Sequence, residues 1–500
     1  MINWFKALLF AGAVTSAVAW RAAPDMPELA RYAYVGLFLT LLTVGLFLFS
    51  KDPKYVGLMM MLGLTWFLFL RPLHREQFDY LSVYVFDELN LEVATQMTLA
   101  GMVAFSVGWW AANRHPPRPL LRNLERQAFP ARSLGLAALG LSLLSLVSQV
   151  FRSELMQVTS QLGRALFLVD QLPMLALSAG LLAILEGYRN RFLQVWLFGV
   201  FLPLQVLLVI SNTLFSNLYV ILAPLFLLYM FKRLRMPFVW LGLAVLLLGP
   251  AFLARNEWRS EDGWDDDIPL HARVALGGKR FVESLDWYAS RGVTTTRESV
   301  TEARMNSLAL LAHCVRVHDV GGKRFAYGES FLWLPLAPIP RIIFPWKPEL
   351  DRGGTQFGIA YGIKTANENY ALNIPLMVEA FYNGGWGGIL LINLFLGVIY
   401  SFLFGLFRHG QSSVSLLALA TLLPALAIIE NQASHVIGGA MQATMFWFLL
   451  DRVFFAGGPS AGPKRSFAVL GEHPPGPSFT GAAEVSVSPC PVPASSGPPR

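Results

Sequence analysis

Blocks of about 20 mostly apolar residues recur along this chain, and that recurrence limits the fold more than any other feature of the sequence. About 20 residues in a helix cover the hydrocarbon of a bilayer. Such blocks lie at 5–20, 33–50, 55–70, 93–112, 133–151, 165–185, 192–210, 214–231, 237–254, 386–407, 413–429 and 436–455. In lipid each backbone polar group must be satisfied within its own segment or a closed barrel, and unbroken runs of this length read as helices. Of 500 residues 54% are hydrophobic and 14% charged, against about a quarter charged in soluble chains. The fold class expected is therefore an all-α polytopic membrane protein with about twelve transmembrane helices.

The first block has a second reading. Lys6, a short apolar run and Ala17-Val18-Ala19 match a secretory signal. Its removal leaves eleven spans in the same orientation; retention is the reading carried forward.

Charge sets the orientation. With the N-terminus inside and the spans alternating, the short inside segments hold 14 basic residues: Lys6, Lys51, Lys54, Arg114, Arg118, Arg122, Arg126, Arg132, Arg189, Arg191, Lys232, Arg233, Arg235 and Arg408. The short outside loops hold six: Arg21, Arg31, Arg71, Arg75, Arg152 and Arg164. Basic residues favour the cytoplasmic side. The formal charge of +7 is thus accounted for by orientation and does not point to nucleic acid.

Four regions follow. Residues 1–254 carry nine helices, 255–372 form a large polar loop on the outer face, 373–455 carry three more helices, and 456–500 form a tail. The tail has 10 Pro, 7 Gly and 7 Ser, too little apolar surface for a core, and is expected to be disordered and cytoplasmic. Cys314 and Cys490 fall on opposite sides and offer no disulfide framework.

Polar residues gather toward the outer helix ends: Asp170, Asn212, Asn217, Glu379, Glu430, Asn431, Gln432 and His435. Ionisable groups at membrane depth are costly and face a cavity or a partner. The loop starts with Arg255-Asn256-Glu257-Trp258-Arg259, directly after a span. Planar guanidinium forks there suit phosphate oxygens, although Arg and Trp also anchor helix ends at the interface. Next comes Pro340-Arg341-Ile342-Ile343-Phe344-Pro345-Trp346-Lys347-Pro348, then Asp351-Arg352-Gly353-Gly354. This stretch offers the cations Arg341, Lys347 and Arg352 and a stacking face at Trp346; a rigid connector on the bilayer is its plainer reading. The chain returns to the membrane through Glu379-Ala380-Phe381-Tyr382-Asn383-Gly384-Gly385-Trp386-Gly387-Gly388. Its glycines either break the helix beside a cavity or form a small-residue packing seam.

Two further features are weaker. The acidic run Glu261-Asp262-Gly263-Trp264-Asp265-Asp266-Asp267 has no defined ligand spacing and reads as solvated loop before it reads as a cation site. A helix is expected over 297–318, with Cys314 and His318 four residues apart on one face. A thiolate beside a histidine is an activated nucleophile, but a buried packing thiol is the plainer reading.

The Arg-rich loop start, the PR…PWKP stretch and the ExxYNxGxxG segment together resemble bacterial oligosaccharide repeat-unit polymerases, the Wzy-type enzymes of O-antigen and exopolysaccharide synthesis. The likeness covers roughly 250–400 and elsewhere extends to span count and topology. An arginine-to-glycine spacing reported for some members is absent from the large loop and fits between Arg152 and Gly163, in a short loop. The resemblance implies a multi-pass protein of the bacterial inner membrane with both termini cytoplasmic, no cofactor and no metal. Its substrates would be polyprenyl-pyrophosphate-linked oligosaccharides, and a chain-length regulator and a flippase would be its functional partners. The growing glycan leaves its lipid pyrophosphate and joins the end of an incoming unit. Under that reading Glu379 is the leading base and Glu257 the second. Arg341, with Arg255, Arg259 and Arg352, stabilises the departing pyrophosphate. Lys347, Trp346 and Tyr382 bind substrate. An O-antigen ligase and a transporter or flippase of lipid-linked oligosaccharides remain the alternatives.

Overall fold

The computed structural model describes residues 2–22, 29–74, 84–117, 120–121, 129–151, 171–211, 215–261, 269–291, 307–332, 334–336, 339, 344, 346, 352–365, 373–408, 412–427, 429 and 431–453. The expected tail lies outside them. Among the described residues the regular structure is all helical.

In chain order the helices are α1 (Ile2–Ala22), α2 (Ala30–Ser50), α3 (Lys54–Leu70), α4 (Glu88–Asn113), α5 (Ala131–Val150), α6 (Leu172–Leu185), α7 (Arg191–Ser211) and α8 (Phe215–Arg233). There follow α9 (Phe238–Glu261), α10 (Leu270–Arg291), α11 (Ser307–Gly321), α12 (Arg352–Ala360), α13 (Leu376–Arg408), α14 (Ser413–Ala427) and α15 (Ala433–Val453). Each of the twelve apolar blocks contains a helix. Five of these helices, α2, α4, α5, α7 and α13, are long and apolar enough to cross a bilayer. The apolar parts of α3, α6, α9 and α14 are shorter. The chain is accordingly a helical membrane protein.

Local chemistry explains the helix limits. Asp87 caps α4, its Oδ1 accepting from the Asn90 N–H at 2.8 Å, a standard way to satisfy a first-turn donor. Inside the apolar helices, hydroxyls bond back to their own helix: Thr95 to the Leu91 carbonyl at 2.7 Å and Thr98 to that of Ala94 at 2.8 Å. Such back-bonding satisfies these hydroxyls within their own helix.

The core is a seam between α4 and α13. A Cβ on Gly108 would lie 2.0 Å from the Leu394 carbonyl oxygen, and one on Gly397 would lie 2.1 Å from that of Phe105. These two glycines let the helix backbones touch, as small residues do where lipid supplies little drive for association. Flanking that seam, α13 shows Leu391, Leu394, Phe395, Val398 and Phe402 exposed. The i, i+3, i+4, i+7, i+11 spacing makes one continuous apolar stripe. An apolar stripe of this length suits acyl chains.

The 255–372 segment is only partly a cover over the helix ends. Within it, α11 is buried from Ser307 to Val315 and packs against α4 and α13. α10 lies along α7 with an inverted pattern: Arg273, Gly277, Arg280 and Ser284 face inward while Val282 and Leu285 are exposed. Gly277 brings α10 close to the Leu207 carbonyl of α7. Arg273 Nη2 donates to the Gln149 carbonyl at 3.0 Å, and Arg280 Nη1 donates to that of Ser211. Both carbonyls belong to last turns, where helices leave acceptors without intrahelical partners. The two arginines therefore fasten α10 to the ends of α5 and α7.

Candidate functional site

Glu379 stands in the first turn of α13 and is 1% exposed. Its Oε2 accepts from the Ala433 N–H at 2.6 Å. Ala433 opens α15, so the carboxyl group meets the donor-rich end of a helix, where negative charge is favoured. The Leu376 N–H donates to the Ile429 carbonyl at 3.0 Å, tying α13 to the segment between α14 and α15. Ser330 and His435 also act on the Glu379 carboxyl. Of the polar residues noted at outer helix ends, Glu379 and His435 thus meet, and the Gln432 carbonyl accepts from the His435 N–H at 3.0 Å. Asp170, Asn212 and Glu430, and the side chain of Asn217, lie outside the described residues.

One turn after Glu379, Asn383 engages three partners. Its Oδ1 accepts from the Gly328 N–H at 2.9 Å, and its Nδ2 donates to Ser330 Oγ and to the Glu379 carbonyl, each at 2.8 Å. The Ala326 N–H donates to the Tyr382 carbonyl at 3.0 Å. The turn 326–330 is in this way tied to α13 beside the carboxyl group. Within that turn Tyr327 has φ +45 and Gly328 φ +91. A non-glycine residue in the left-handed region costs about 1–2 kcal/mol, so the two clamps hold Tyr327 against a real penalty.

Immediately after Asn383 the helix breaks. Gly385 has φ +56, and a Cβ there would meet the Phe325 ring at 2.8 Å. A Cβ on Gly388 would lie 2.1 Å from the Ala380 carbonyl oxygen, so the chain turns sharply and its two arms come together. Of the two readings of these glycines, the break is the one seen; the packing seam runs through Gly397 and Gly108 instead.

A ring cluster backs the turn. His318 stacks on Phe325 at 4.3 Å and meets Phe381 edge-on at 5.2 Å. Its Nδ1 is 2.7 Å from the Lys323 carbonyl and its Nε2 is 2.7 Å from the Tyr361 hydroxyl. A carbonyl only accepts, so Nδ1 carries the hydrogen and Nε2 accepts from Tyr361; a neutral ring satisfies both bonds. Burial lowers the His318 pKa below its ordinary value. Lys323 Nζ lies 4.3 Å from the Tyr361 ring centre and donates to the Ala360 carbonyl. Burial lowers its pKa too, and raises that of the Tyr361 phenol. His313 bonds the Tyr361 carbonyl through Nε2 at 2.9 Å.

Cys314 is fully buried, and burial pushes its thiol well above the ordinary range. That environment suits packing and disfavours the thiolate a nucleophile needs. Among the described residues no group of three or more His, Cys, Asp or Glu side chains could hold a metal ion.

The remaining candidates divide as follows. Tyr382 is half-buried, edge-on to Phe357 at 5.6 Å and to Tyr361 at 6.0 Å. Trp346 is 76% exposed and meets Phe344 at 5.2 Å. Arg255, Glu257 and Arg259 fall on the last turns of α9 and Arg352 opens α12, with side chains outside the described residues. Arg341 and Lys347 lie outside them altogether, as does the acidic run from 262 to 267. Sequence reasoning brought out Glu379 but not the role of Asn383, for which the i, i+4 spacing was the available signal. It also passed over Tyr361 and Lys323, whose meeting with His318 depends on contacts between distant segments.

No family model matches this chain, and neither a curated protein nor a solved structure with significant similarity to it was found.

Proposed function

We propose that this chain is a glycan polymerase of the bacterial inner membrane, joining polyprenyl-pyrophosphate-linked oligosaccharide repeat units on the outer face. The observation that carries the reading is the Glu379 carboxyl, buried in the first turn of a long apolar helix that Asn383 ties to a loop turn. A lipid-linked substrate needs its headgroup aligned at the level where loop and membrane helix meet. In the reaction the acceptor hydroxyl oxygen forms the new glycosidic bond, its proton passes to Glu379, and the donor's bond to pyrophosphate breaks. Arg341, assisted by Arg255, Arg259 and Arg352, stabilises charge on the leaving group. Trp346, Lys347 and Tyr382 guide the headgroups, and Glu257 is the second candidate base. A hydroxyl reaches Glu379 only after the Gly328–Ser330 turn lifts.

The twelve-span topology, with both termini cytoplasmic, belongs to the same reading. End-to-end contacts support it. Glu186 at the end of α6 pairs with Lys232 of α8 at 2.9 Å and with Ser413 of α14, all ends assigned to the inside. Arg280 with Ser211, and Leu376 with Ile429, join ends assigned to the outside.

A deletion strain tests the reaction class. Accumulated single lipid-linked repeat units are expected. Full-length lipid-linked polymer would point to a ligase, and units confined to the cytoplasmic leaflet to a transporter.

A further inference from the structure

The strained turn carries more than a link to Glu379. Left-handed backbone is usually given to glycine or asparagine, and the adjoining Gly328, at φ +91, follows that rule. Tyr327, at φ +45, does not. A tyrosine placed there for packing would bury its ring, yet Tyr327 is 81% exposed, with its ring perpendicular to that of Phe325 at 6.4 Å between centres. The cost of the conformation is therefore not returned by packing. It is held in place by the Ala326 bond to Tyr382 and the Gly328 bond to Asn383, which are the residues between Glu379 and the helix break. Strain that persists because its surroundings over-determine it is characteristic of binding sites. Glu329, also exposed, follows in the same turn. An open aromatic face beside a carboxylate is the chemistry that takes a pyranose: the C–H face of the sugar packs on the ring while its hydroxyls donate to the oxygens.

We infer that Tyr327 is the sugar platform of this site, set by the Asn383 clamp on the turn that covers Glu379, where its ring takes the glycan before that turn lifts. This deepens the proposed polymerase reading and rests on it for the identity of the sugar-bearing lipid.

Binding, rather than turnover, separates the two ideas. The full-length protein in nanodiscs is titrated with lipid-linked repeat unit extracted from the deletion strain, and in parallel with sugarless polyprenyl pyrophosphate. Tyr327→Phe and Tyr327→Trp are expected to bind the sugar-bearing lipid as wild type does. Tyr327→Gly should weaken it about tenfold, the scale of one lost aromatic contact, with unchanged affinity for the sugarless lipid. Because glycine removes the backbone strain, Tyr327→Gly should unfold at the wild-type temperature or above, so a loss of binding cannot be a folding failure. Wild-type affinity in Tyr327→Gly overturns the inference. So does an equal loss for both lipids, which would assign Tyr327 to the bilayer or the lipid tail. If the sugar-dependent difference appears while wild-type protein forms no polymer, the platform stands and the polymerase reading falls.

Discussion

The Glu379 carboxylate accepts from the Ala433 backbone N–H at 2.6 Å, a bond between residues 54 apart in sequence that joins the first turns of two apolar helices. It puts this deeply buried carboxyl group at a helix N-terminus and next to a break in its own helix. The expected effects of altering this region follow from that placement.

The two glycines of the break should behave differently. Gly385 combines φ +56 with a Phe325 ring 2.8 Å from where a Cβ would sit. Gly384 has φ −172, which any residue adopts, and open space around it. Gly385→Ala should lower stability by about 2 kcal/mol from strain and crowding together. Gly384→Ala should be close to neutral. Thermal unfolding of the two variants in detergent measures the difference; equal values would contradict the described break.

Cys314 should be inert. With its thiol buried and its pKa raised by that burial, folded Cys490→Ser protein at pH 8 should not react with a maleimide, and the same protein denatured should. Cys314→Ala should keep polymer production near normal. Rapid native labelling, or a stable but inactive alanine variant, would restore thiol chemistry as a possibility.

His318 should make the ring cluster sensitive to acid. Its folded pKa is lowered from the ordinary 6.5 by burial, which outweighs the hydrogen bond to the Lys323 carbonyl that works the other way. The unfolded state therefore takes up the proton first as pH falls. The neutral ring's contribution is complete above about 6.5 and is lost as pH drops through that value toward the folded pKa. Hydrogen-exchange protection in the last turn of α11 and in 323–328, taken relative to the intrinsic amide rate at each pH, should fall between pH 7 and pH 5.5. His318→Gln should flatten the pH dependence. An unchanged profile would show that the ring does not hold the turn.

Much of the architecture is legible in the sequence because hydropathy is local: each of the twelve apolar blocks contains a helix. Glu379 is legible for the same reason, as a carboxylate entering an apolar run. The glycine segment was ambiguous between a break and a seam, since both use small residues; only the φ of Gly385 and the approach of Gly388 to Ala380 decide it. Asn383, Tyr361 and Tyr327 were hidden for another reason. Their roles arise from partners 43 to 55 residues away, as in His318 with Tyr361 and Gly328 with Asn383, and no periodicity encodes such pairs. The inward-facing arginines of α10 do follow a helical period, but a basic stripe normally reads as a solvated face.

The central claim is that Glu379 accepts the acceptor hydroxyl's proton while arginines hold the departing pyrophosphate. Membranes carrying Glu379→Gln are supplied with purified lipid-linked repeat units, and polymer is measured against time. The amide oxygen can still accept from the Ala433 N–H, so the protein should accumulate and unfold as wild type does. Polymerisation should fall by at least about a hundredfold, as for loss of a general base. Arg341→Lys, assayed alongside, keeps its charge but loses the planar fork and should fall by a similar factor, about 3 kcal/mol of transition-state stabilisation. Wild-type rates in both variants would contradict this assignment of the site.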